Sequence, residues 1–94
     1  MPDYGFTYKG YILYFTMKCL AEPMHAHVEK NYSQSKAAKI WIGKNGISKI
    51  HHSGKVPAKI LKEMQEWILD NHKSMEEKWQ AYGGAGYYIS VEKI

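Results

Sequence analysis

The chain has 94 residues, 13 Lys, no Arg, 9 acidic residues, 5 His and one Cys, for a formal charge of +4. That length holds one domain, 1–94, and an apolar share of 45% with 23% charged residues excludes a disordered chain. One cysteine excludes a disulfide scaffold, and the longest apolar run, 11–15, is too short for a membrane span or signal peptide, so the expected compartment is cytoplasmic with no membrane partner.

The charge is uneven. Residues 1–59 carry nine Lys against Asp3, Glu22 and Glu29, whereas 60–94 carry four Lys against six acids. The first part is therefore a candidate surface for RNA or another polyanion. Without Arg it has no planar fork for guanine edges, and Lys holds phosphates without reading sequence.

Tyr4, Phe6 and Tyr8 alternate with small or polar residues, which predicts an edge strand. Lys9-Gly10 turns the chain into a largely apolar segment, 11–16, that suits a central strand covered on both faces. In the next strand Ala26 and Val28 point one way, and His25, His27 and Glu29 the other. Polar residues 31–36 form a loop. Ala38, Ile40 and Ile42 then make an inner face, with Lys39 and Trp41 opposite. Asn45-Gly46 predicts a two-residue hairpin, because both residues tolerate positive φ, with 47–50 as the returning strand. Pro57 opens a helix whose stripe is Ile60, Leu61, Met64, Trp67 and Ile68. Asn71 is expected to end it, and Ser74 to cap a second helix carrying Met75 and Trp79. Gly83-Gly84 closes that helix, and alternation over 87–91 predicts a last strand. The expected fold is α+β: a largely antiparallel sheet, two helices on one face and a short final strand.

His25 and His27 are the most unusual local feature. Two residues apart on a strand, their Cα atoms lie about 6.6 Å apart on one face. Neutral imidazoles so placed can share a divalent metal such as zinc, with Glu29, Cys19, His51 or His52 as a third ligand. Alternatively they form an acid–base pair in a small nuclease, with Lys30 or Lys39 steadying a phosphate. A third reading needs no chemistry: the rings pack or meet a partner protein. Trp67 and Trp79 sit on helix stripes, whereas Trp41 is the best candidate for an exposed aromatic.

These residues also carry a resemblance. Gly10-Tyr11-Ile12-Leu13-Tyr14-Phe15, Glu22-Pro23-Met24-His25-Ala26-His27-Val28-Glu29 and Ala38-Lys39-Ile40-Trp41-Ile42 follow one another. An amphipathic helix ending at Asn71 and a shorter one holding Trp79 come next. Over 10–83 this order resembles the bacterial family of domain of unknown function 4160, with Met24 where that family has a second Pro. The resemblance implies an interaction component of a toxin–antitoxin-like two-gene module. The implied partner is a small protein encoded by an adjacent gene, with RNA or a second copy of the chain as other candidates. The sheet face carrying His25, His27, Lys39 and Trp41 is the expected contact surface, with Lys30 a further partner or polyanion contact.

Overall fold

A computed structural model describes residues 3–30 and 37–84. Five strands form one antiparallel sheet in the order β1-β2-β3-β4-β5: β1 (Asp3–Tyr8), β2 (Tyr11–Tyr14), β3 (His25–Glu29), β4 (Ala38–Ile42) and β5 (Ser48–His52). One helix, α1 (Ala58–Ala81), follows. The predicted loop at 31–36 and strand at 87–91 lie outside the described residues.

Strands that follow one another in the chain pair as neighbours, all antiparallel. Lys9 and Gly10 both take positive φ and reverse β1 into β2. At the β4–β5 turn Asn45 and Gly46 take the positive φ that the pair allows, 64° and 83°, but the connection is a 3-10 turn over Lys44–Gly46 and not the expected two-residue hairpin. Gly46 does more than turn. A Cβ there would stand 2.9 Å from Leu69 Cα and 3.0 Å from the His72 ring, so the tip of the hairpin rests against α1.

Register decides which side chains form the core. Leu13 faces Val28, Ala26 faces Ile40, and Val28 faces Ala38. This face packs with Ile60, Leu61, Met64, Ile68, Met75 and Trp79 of α1 into one apolar cluster. Burying each large side chain is worth roughly 1.5–3 kcal/mol, which offsets the entropy lost in ordering the helix. Trp67, half-buried, stacks on Phe6 of β1 at 4.8 Å.

The expectation of two helices is corrected. The chain kinks at Asn71 (φ −126°, ψ 17°) and continues as one helix. Side chains satisfy the displaced backbone: Asn71 Nδ2 donates to the Trp67 carbonyl at 2.9 Å, and Ser74 Oγ donates to the Asn71 carbonyl at 3.0 Å. Ser74 thus bonds back to the preceding turn instead of capping a new helix.

Candidate functional site

β3 is the middle strand of five, and every one of its residues is buried. The alternation of side chains is as expected, but the face carrying His25 and His27 is not half-exposed. His25 is 1% exposed, His27 9% and Glu29 9%. Rings close over the pair. His27 lies 5.7 Å from Tyr14 of β2, and His25 lies 5.3 Å from Trp41 of β4 and 5.7 Å from Trp79 of α1. The expectation of a half-exposed face is corrected accordingly: the rings of His25 and His27 are buried.

The two imidazoles nevertheless converge, with ring centroids 5.1 Å apart. Each is oriented by a backbone carbonyl. His25 Nδ1 donates to the Pro23 carbonyl at 2.9 Å, and His27 Nδ1 to the Ala38 carbonyl at 3.3 Å. A carbonyl only accepts, so Nδ1 carries the proton and Nε2 keeps a free lone pair in each neutral ring. His25 Nε2 is buried with no hydrogen-bond partner. The phenol of Tyr4 on β1, two strands away, donates to the His25 carbonyl at 3.0 Å and fixes the start of β3.

A 3-10 turn over Met17–Ala21 joins β2 to β3 and places Cys19 inside, at 4% exposure. Its sulfur accepts the Thr16 backbone N–H at 3.4 Å and lies 3.3 Å from Thr16 Oγ1. Cys19, His25 and His27 each bring one donor atom to within 4.8 Å of the other two. They are the one such trio among the described residues. The other candidate third ligands are not part of this trio: Glu29 Oε1 accepts the Lys30 backbone N–H at 2.6 Å, and His51 stacks edge-on with Trp41 and His52.

Electrostatics keep the buried rings uncharged. Burial lowers the pKa of His27 to about 4, with the neighbouring His25 acting in the same direction. Burial also lowers that of His25, against the Pro23 carbonyl, which favours the protonated ring. At the rim, Lys39 Nζ lies 2.7 Å from Glu22 Oε1 and 4.2 Å from the centroid of the half-buried Trp41 ring. That hydrogen bond holds the Glu22 carboxyl below its usual range. Lys30 is exposed and sits 5.0 Å over the Tyr11 ring, away from this rim on the β2 side. Along the outer strand β5, Lys49, His51 and His52 are exposed.

A family model described as Domain of unknown function (DUF4160) matches residues 10–80. The chain belongs to this family. No curated protein and no solved structure matches it. The DUF4160 stretch contains Cys19, His25, His27, Lys39 and Trp41, and Tyr4 lies outside it. Among the described residues no helix is long and apolar enough to cross a membrane.

Sequence reasoning named Cys19 as one of four third ligands but had no means of choosing it. The choice is made by the turn over Met17–Ala21, whose course no periodicity signals. The roles of Tyr4 and of the Pro23 and Ala38 carbonyls were missed, because they depend on pairings across the sheet.

Proposed function

We propose that this protein is an interaction component of a toxin–antitoxin-like two-gene module that binds an acidic partner protein along its β4–β5 rim. The observation that carries this reading is the composition of that rim. Trp41 lies under the Lys39 ammonium and 5.5 Å from His51, and Lys49, His51 and His52 stand exposed beside it. An aromatic anchor ringed by polar and cationic groups is the usual make-up of an interface centre and its edge. The positive charge of residues 1–59 supports a negatively charged partner.

The nuclease reading of His25 and His27 draws less support. General acid–base catalysis requires each ring within hydrogen-bond reach of the substrate, and both rings lie under Tyr14, Trp41 and Trp79.

Co-expression with the product of the adjacent gene, followed by affinity capture, tests the proposal. A complex is expected, and Trp41→Ala should weaken it by about 2 kcal/mol or more, as an interface anchor does. Lys49→Glu should also weaken it while leaving the thermal melt of the free protein in place. Failure to capture the product, or capture indifferent to both substitutions, overturns the assignment.

A further inference from the structure

We propose that Cys19, His25 and His27 form a binding site for one zinc ion, which ties the turn after β2 to the start of β3. The inference is independent of the partner reading and concerns the interior of the sheet, not its rim.

Three observations carry it. The first is the donor set. One sulfur and two imidazole nitrogens lie mutually within 4.8 Å. Tetrahedral zinc, with bonds of about 2.0–2.3 Å, holds such donors about 3.3–3.8 Å apart. Closure therefore needs roughly 1 Å of inward movement, within the range of side-chain rotation. The second is the orientation of the rings. Both Nδ1 atoms are occupied by backbone carbonyls, at 2.9 Å and 3.3 Å, which leaves Nε2 as the ligating atom. This is the outer-shell arrangement that metal-bound histidines use to fix their tautomer. The third is an unmet need. His25, at 1% exposure, has a buried Nε2 with no partner. Leaving a buried polar atom without a partner is costly, and a metal ion removes that cost.

The sulfur is prepared for the same role. Thr16 places its backbone N–H and its hydroxyl at 3.4 Å and 3.3 Å from Cys19 Sγ. Both can remain as donors to a zinc-bound thiolate, as hydrogen bonds around metal-bound sulfur do. One thiolate and two neutral imidazoles suit zinc better than magnesium or calcium, which prefer oxygen. Binding releases the thiol proton and leaves a fourth position for water or an outside ligand.

The test uses untagged, reduced, full-length protein and zinc or cobalt(II) as the probe. Roughly one zinc per chain is expected by titration against a chromophoric chelator, with a higher melting temperature when it is bound. Cobalt(II) should give a thiolate-to-metal charge-transfer band in the near ultraviolet and tetrahedral bands in the visible. Loss of an outer-shell partner alone costs about 10–100-fold in affinity, so Cys19→Ser and His27→Ala should each cost at least that. Cys19→Ser should also abolish the charge-transfer band. The double variant His51→Ala/His52→Ala should leave stoichiometry and spectrum unchanged. If Cys19→Ser does not fold, the spectrum of the wild-type cobalt protein decides. Absence of the thiolate band, or loss of metal on changing His51 and His52 instead, overturns the proposal. These measurements involve no partner, so failure here and failure of the partner capture are separately visible.

Discussion

Replacing Gly46 by Ala tests how the β4–β5 hairpin is held. Two costs arise at that position. The backbone has φ of +83°, where a Cβ strains the chain by about 1–2 kcal/mol. In addition the new methyl would stand 2.9 Å from Leu69 Cα and 3.1 Å from His72 Cβ. The first of these is backbone of α1 and cannot rotate away, so the helix or the hairpin must shift, at about 1–3 kcal/mol. The sum is about 2–4 kcal/mol after the small gain from a stiffer unfolded chain.

Gly5→Ala isolates the first cost. Gly5 has a similar φ of +82°, but a Cβ there meets nothing within 4 Å. Only the conformational cost applies, about 1 kcal/mol net. Thermal melts of both variants should therefore differ, with Gly46→Ala at least about 4 °C below Gly5→Ala. Equal losses would refute the contact between hairpin tip and helix. If the two are held as described, Gly46→Ala should also weaken partner capture, because it loosens the strand that carries Lys49, His51 and His52.

Other outcomes follow from the interior. His27 keeps a pKa of about 4 when folded and returns to about 6.5 when unfolded, so the unfolded chain binds the extra proton between those values. In chelator-treated protein, stability should be complete above about pH 6.5 and fall as pH drops toward 4, by at most about 3 kcal/mol from this residue. Urea melts across that range check it, and a flat profile would mean that the ring is solvated. Tyr4→Phe removes the donor to the His25 carbonyl and should cost about 1 kcal/mol in the same assay, with the sheet otherwise intact. Trp79→Ala empties the space between Phe15 and His25 and should cost about 3–5 kcal/mol, a large share of the stability of a domain this small.

Local signals carried most of the fold. Alternation at Ala26/Val28 and at Ala38/Ile40/Ile42 identified the core face, and Asn45-Gly46 located the hairpin, because both depend on rules two residues long. The error at Asn71 has a physical origin. Asn followed by Ser three residues later is the pattern of a stop and a cap, and the same side chains equally well satisfy carbonyls at a kink. What separates the two outcomes is the sheet. Ile68 and Met75 both bury against it, so tertiary contact carries the helix through a weak point that propensity alone would break.

The site was legible only in its direction. That His25 and His27 share a face follows from strand geometry, but whether that face meets water depends on what lies over it. Tyr14, Trp41 and Trp79 come from three different elements, and their convergence on β3 is a property of the assembled sheet. The consequence separates two roles that the sequence merged. A surface that must recognise a partner needs exposed groups, and these are Lys49, His51 and His52 along the rim. A ligand site for a small ion needs lone pairs held in place and shielded from competing water, and these are on Cys19, His25 and His27. Burial to 1% removes His25 from the first role and, with its Nδ1 fixed on Pro23, fits it for the second.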